Sequence, residues 1–237
     1  MSAVASNRSP KILIVSPALA AANNGNWHTA RRWQSFLAPM SAPRIASAWK
    51  NERVDVLIAL HARRSAESIE RFAARYPNRP ILLVLTGTDV YRDIAIDATA
   101  RRSLDLATFL VVLQEEALDE LPADVRRRAR VIVQSAARRR SRSLPSRPVQ
   151  LIAIGHLREE KDPLTMVAAM RAVARKQPNI ALQFTHIGNP LDERIAADVR
   201  GAALELASYR WLGGLPYAET RARLAGSHAL VHASRLE

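Results

Sequence analysis

Six short apolar runs rich in branched residues, KILIVSP, RIASAW, DVLIALHA, PILLVLTG, TFLVVLQ and RVIVQSA, alternate with helix-period segments over the first 136 residues. A strand with no polar side must be covered on both faces. Such a series therefore predicts a parallel sheet packed between helices. Trp27, Ala30, Trp33 and Leu37 fall on one face of a helix between the first two runs, and Ile69, Phe72 and Ala73 do the same before YPNRP ends the next helix.

From Arg138 to Pro148 the chain has neither period nor apolar content, so a domain boundary belongs there. A second alternating series follows. VQLIAIGHL, IALQFTHIG, YRWLGGL and ALVHAS read as strands, and the helices between them carry apolar faces at Met166/Met170/Val173 and Ile195/Val199/Ala202/Leu206. Asp162 and Pro163 fit an N-cap followed by proline in the first turn. The expectation is an α/β chain of two Rossmann-like, doubly wound parallel-sheet domains, residues 10–140 and 149–237. The second is expected to be incomplete, because the sequence stops at Glu237 directly after a strand. An open sheet edge there would favour self-association.

The 237 residues are 48% hydrophobic, enough for buried cores. With no cysteine, disulfides, thiol catalysis and thiolate metal sites are excluded. No apolar run reaches the length of a membrane span, and the first ten residues lack a secretory hydrophobic segment, so the chain reads as cytoplasmic with no membrane partner. The formal charge of +13 attracts anions such as phosphates, nucleotides or nucleic acid. Nine arginines between Arg126 and Arg147 supply much of it, and a solvated linker explains them without a ligand. A nucleic-acid-binding protein is the rival from another class. No aromatic-basic interleaving or binding module accompanies the basic run, which argues against it.

Candidate chemistry sits where strands end. After the first run, Gly25 stands just before the first helix with Asn26 and His28 following, where free N–H groups and a glycine favour an anion; an ordinary Asn-Gly turn is the other reading. His61 follows DVLIAL and could orient a hydroxyl or move a proton, with Arg63 and Arg64 next along to neutralise an anionic acceptor. LTGTDVYRDI supplies Asp89, Tyr91 and Arg92 as acceptor, aromatic wall and cation, or else simply a capped helix start. In GHLREEKDP, Arg158 and Lys161 lie between Gly155 and the helix capped by Asp162, so two cations and a helix start converge where a diphosphate could sit. They would stabilise charge on a departing group. A solvated turn with internal ion pairing is the alternative.

The segments ILIVSPALAAANNGNWHTARRW, DVLIALHARRSAESI, LTGTDVYRD, GHLREEKDP and GSHALVHASRLE stand in the order found in GT-B nucleotide-sugar glycosyltransferases. They most resemble the selenosugar synthases of selenoneine biosynthesis (SenB-like proteins), over about Lys11 to Glu237. The resemblance implies transfer of a sugar from UDP-N-acetylglucosamine or UDP-glucose to selenophosphate. It implies an acceptor-side first domain, a donor-side second domain, no obligatory metal and no cofactor beyond the UDP-sugar co-substrate. A transferase with a hydroxyl acceptor remains the alternative. By motif, Lys161 matches the lysine that contacts the donor diphosphate. His156 stands where an arginine usually follows the glycine, leaving Arg158 as the substitute. Ser234 and Glu237 match the serine and first glutamate of the paired-glutamate donor motif, with Ala233 replacing its proline. Relatives continue for further strands and helices, so a truncated chain with weakened turnover is expected.

Overall fold

The computed structural model describes residues 8–22, 24–136, 143–144 and 146–235. Two compact units divide the chain, Met1–Ala136 and Ala137–Glu237.

In the first unit, β1 (Ile12–Val15), β2 (Arg44–Ala46), β3 (Val56–Leu60), β4 (Ile81–Val84), β5 (Phe109–Val112) and β6 (Ala129–Val131) form one parallel sheet in the order β2-β1-β3-β4-β5-β6. Because successive side chains alternate across the sheet, each strand feeds two cores. Leu13, Val15, Leu57, Ala59 and Leu83 meet Ile69 and Phe72 of α2 (Ala66–Arg75) on one face. Ile12, Ile14, Ile58 and Leu60 meet Ala30, Trp33 and Leu37 of α1 (Gly25–Leu37) on the other. Trp49 stands edge-on to Phe72 at 5.4 Å, with its ring N–H on the Glu52 carbonyl. Burying a ring of that size contributes about 3 kcal/mol.

After β4 the chain makes a five-residue π turn, Asp89–Asp93, then α3 (Ile94–Ile96) and α4 (Ala98–Leu106). Asp97 caps α4 by accepting the Thr99 and Ala100 amides, which is why a helix that the sequence reading did not single out begins there. A short α5 (Ala123–Arg126) leads to β6. The sixth strand is shorter than RVIVQSA predicts, and Ile132 and Val133 beyond it are exposed.

The second unit carries β7 (Val149–Ile154), α6 (Pro163–Lys176), β8 (Leu182–Ile187), α7 (Glu193–Glu205), β9 (Tyr209–Trp211), α8 (Tyr217–Ala225) and β10 (Ala229–Leu230). Its sheet runs β10-β7-β8-β9, all parallel. Met166, Val167 and Met170 of α6 and Ala196, Val199 and Ala202 of α7 pack on Ala153, Phe184 and Tyr209. The expected ALVHAS strand contracts to two residues at an exposed edge. No helix among the described residues is long and apolar enough to cross a membrane.

Strand order fixes where each unit can take a ligand. In the first, β2 lies to one side of β1 and β3 to the other. The crossovers through α1 and α2 therefore leave the sheet on opposite faces, opening a crevice beyond the C-terminal ends of β1 and β3. In the second, β8 and β10 flank β7 on opposite sides, which puts the switch point beyond β7 and β10.

Candidate functional site

The first crevice is bordered by His61 and the start of α1. His61 follows β3 in the left-handed region at φ 73°, a conformation that costs energy outside glycine and concentrates at functional turns. Its ring is 2% exposed. Nδ1 accepts the Arg64 amide at 3.4 Å, which leaves the proton on Nε2, 3.3 Å from Thr88 Oγ1. Burial lowers the His61 pKa, opposed by the carboxylate of Asp89 and reinforced by Arg64. His61 is thus a neutral donor.

Asp89 is wholly buried, its oxygens accepting the Ala62 amide at 2.9 Å and the Thr86 amide at 2.8 Å. It ties the loop after β3 to the loop after β4. Gly87, at φ 120°, permits the bend between them. One π turn on, Asp93 is 3% exposed and takes Arg63 Nε at 2.8 Å on Oδ2 and Arg92 Nε at 3.2 Å on Oδ1. Burial pushes the Asp93 carboxyl up, but the hydrogen bonds from Arg63 and Arg92 outweigh it and hold the pKa below the usual value. The structure therefore gathers His61, Arg63, Asp89 and Arg92 around Asp93, a residue that sequence reasoning missed. The spacing of Asp89 and Asp93, four apart in DVYRD, was the available signal. Tyr91 packs against the core and its hydroxyl meets Gln114.

Gly25, Asn26 and His28 occupy the first turn of α1, capped by Asn24, whose side chain accepts the Trp27 amide. A Cβ on Gly25 would meet open space. Thr29, one residue on, is tied to Gln134 beyond β6 at 2.8 Å. Burial lowers the pKa of half-exposed His28.

The second crevice holds the loop from Gly155 to Asp162. Gly188 leaves no room for a side chain, since a Cβ there would lie 1.8 Å from the Gly155 carbonyl oxygen. Gly155 N–H donates to Ile187 O, Leu157 N–H to Asn189 O, and Gly188 N–H to Gly213 O, so the ends of β7, β8 and β9 are stitched together by backbone. Beneath them His186 Nδ1 and Tyr209 hydroxyl pair at 2.8 Å. Burial drives the His186 pKa down to about 4, partly offset by its hydrogen bond to Gly155, and pushes the Tyr209 hydroxyl up.

On that floor, the Lys161 stem packs over Gly155. His156 Nδ1 accepts the Asn189 amide at 3.1 Å. Burial, then the charges of Arg158 and Lys161, lower the His156 pKa, so both cations bear on a neutral ring. Arg158 Nε is buried without a hydrogen-bond partner among the described residues, its guanidinium 3.8 Å from Glu160. Asp162, left-handed at φ 41°, caps α6 through the Thr165 amide and hydroxyl. The structure brings Gly155, His156, Arg158 and Lys161 together. Ser234 lies in the stretch after β10, its hydroxyl 3.2 Å from His232 Nδ1. Glu237 and the arginines from 138 to 142 lie outside the described residues. Among the described residues no group of three acidic or histidine side chains could hold a metal.

A depression of about 460 Å³ opens at the opposite, N-terminal end of the first sheet, lined by Lys11, Arg44, Glu52 and Arg53 among others. It contains none of the candidate site residues.

No protein-family model and no curated protein sequence matches the chain. Solved structures do. The α,α-trehalose-phosphate synthase (UDP-forming) of Burkholderia xenovorans, in complex with glucose-6-phosphate, superposes with a TM-score of 0.58 at 11% identity over 88% of this chain and 57% of its own. A point mutant of S. aureus TarM, in complex with fondaparinux, α-GlcNAc-glycerol and UDP, gives 0.55 at 14% over 77% and 37%. The chain has the GT-B fold. The trehalose 6-phosphate synthase of Burkholderia multivorans adds a third such match at 0.55 and 11%, covering 76% of this chain. In the three comparisons the chain spans 37%, 50% and 57% of the other protein's length.

Proposed function

We propose that the protein is a glycosyltransferase that moves a sugar from a UDP-sugar, UDP-N-acetylglucosamine or UDP-glucose, to selenophosphate, forming a carbon–selenium bond. The observation that carries the donor half is the β7–α6 loop at the second unit's switch point. There Arg158, Lys161 and the capped start of α6 surround Gly155, which is the chemistry a nucleoside diphosphate needs. The UDP complex of TarM and the UDP-forming activity in the synthase's name support the same donor.

In the reaction, the electron pair of the anomeric C–O bond departs with UDP while a selenium lone pair forms the new bond to carbon. Arg158 and Lys161 stabilise the charge arriving on the diphosphate. Ser234 and Glu237 are assigned to the donor sugar, and Gly25, Asn26, His28, Arg63, Tyr91 and Arg92 to the acceptor side. Selenium is a soft nucleophile that needs little deprotonation, so neutral His61 orients the acceptor side instead of abstracting a proton. The UDP-sugar is a co-substrate, and no further cofactor enters.

A hydroxyl acceptor is the second reading, favoured by the α-GlcNAc-glycerol bound to TarM. Mass spectrometry of reactions containing UDP-sugars with freshly generated selenophosphate, or with glycerol and sugar phosphates, separates the two. A selenium-containing hexose supports the proposal. UDP release with hydroxyl acceptors alone replaces it, and no UDP release with any acceptor removes the transferase reading.

A further inference from the structure

The strongest unexplained feature is a buried carboxylate gripping two half-exposed arginines. A carboxylate 3% exposed is costly to bury, and an apolar side chain of similar volume would fill the space at lower cost. Asp93 nevertheless binds Arg63 on one oxygen and Arg92 on the other, in both cases through Nε. Nε is the inner edge of the guanidinium. Neither terminal nitrogen of Arg63 has a hydrogen-bond partner among the described residues, and the side chains of Arg63 and Arg92 are 41% and 42% exposed. His61 Nε2 lies 3.9 Å from Asp93 Oδ2, and Arg64 brings a third cation to the ring. The neighbouring carboxylates are occupied: Asp89 with two backbone amides, Asp97 with the Thr99 and Ala100 amides and the Thr99 hydroxyl.

We propose that Asp93 is the positioning residue of an oxyanion site in the first unit, fixing Arg63 so that its outer nitrogens receive a phosphate-type group beside His61. Arginine suits that task because its planar fork matches two oxygens of one phosphate, provided the fork is held still. Holding each guanidinium by Nε removes the rotamer freedom that a solvated arginine would lose on binding. The left-handed turn at His61 and the π turn from Asp89 to Asp93 bring the three side chains to one place. The inference rests on the transferase reading only in taking this anion to be the acceptor.

The test uses the full chain carrying Lys161→Gln, which weakens the cationic loop of the second unit, with inorganic phosphate as the probe in isothermal titration calorimetry. Asp93→Asn and Arg63→Gln are each expected to weaken phosphate about tenfold, and the double variant to be no weaker than either single, because Asp93 acts on the anion through Arg63. UDP affinity, measured with Lys161 intact, should stay within about twofold in both variants, a split that general loosening of the fold would not give. Undetectable phosphate binding in the parent, single variants with unchanged affinity, or effects that simply add would each overturn the inference. Should Asp93→Asn fail to fold by circular dichroism, Arg63→Gln decides the matter alone, since its side chain is half in solvent. Loss of UDP binding in the unsubstituted chain would strike the transferase reading and leave the phosphate result interpretable.

Discussion

Arg235 closes the second crevice onto Asp162: its Nε donates to Asp162 Oδ2 at 3.0 Å, and its backbone N–H donates to the Glu160 carbonyl at 2.9 Å. The stretch after β10 is thereby pinned to the loop that carries Arg158 and Lys161. Asp162 does two jobs in a left-handed conformation, capping α6 and receiving Arg235. Asp162→Ala should lose the cap, about 1–2 kcal/mol, and also place a Cβ with no compensating bond in the left-handed region. Asp162→Gly loses the cap alone. Urea denaturation is expected to rank unsubstituted, glycine, then alanine from most to least stable; equal losses in the two variants would show that the backbone conformation costs nothing.

Lys161 packs its stem over Gly155 and puts its charge beside His156. Lys161→Ala is expected to reduce UDP affinity by about tenfold or more, the worth of a charge-assisted contact to a diphosphate, with little change in unfolding midpoint. Calorimetric titration with UDP reads this directly, and unaltered UDP affinity would remove Lys161 from the donor site.

His186 binds its proton less readily in the folded chain, at about 4 against 6.5 unfolded, because burial disfavours the charged ring. The unfolded state therefore takes up the proton first as pH falls. The stability associated with the neutral ring is complete above pH 6.5 and is lost progressively toward pH 4, a decline of roughly 3 kcal/mol. His186→Gln removes that titration. The difference in unfolding free energy between the two proteins should shrink across this window, and a difference independent of pH would mean His186 is not buried neutral.

Glycines at the two crevices should behave oppositely. Gly188→Ala drives a Cβ into the Gly155 carbonyl, a backbone atom that cannot step aside, so a loss of about 3 kcal/mol or more is expected. Gly25→Ala meets open space in the first turn of α1 and should be neutral or stabilising by about 0.5 kcal/mol. Thermal unfolding of the two variants distinguishes them. A stable Gly25→Ala protein that binds phosphate less well would mark that turn as a place where a ligand approaches backbone.

The parallel sheets were legible because β1, β3 and β4 carry unbroken apolar runs such as ILIV and ILLV, which only a two-sided burial explains. The capped start of α6 was legible from Asp162 and Pro163, since a cap is a local device. Strand order was not, because it depends on which strands pair across separations that run from 19 residues for Leu110 and Ala129 to 78 for Leu151 and Ala229. The two switch points were therefore invisible until β2 and β3 were seen flanking β1, and β8 and β10 flanking β7. The same limit hid Asp93 and Arg235. Each acts through a partner 30 or 73 residues away, Arg63 in one case and Asp162 in the other. Gly188 and Gly214 stood in the sequence after predicted strands, but only the approach of Gly155 and Asn189 reveals why a side chain is refused there.

The crossovers from β1 and β3 depart from opposite faces of the first sheet, the former packing through Ala30 and Trp33, the latter through Ile69 and Phe72. The segment leading into α1 and the one carrying His61 can accordingly be lengthened, shortened or exchanged one at a time without disturbing the core beneath its neighbour. Such independence gives an evolving lineage, or an engineer, two separate dials for choosing what the crevice accepts.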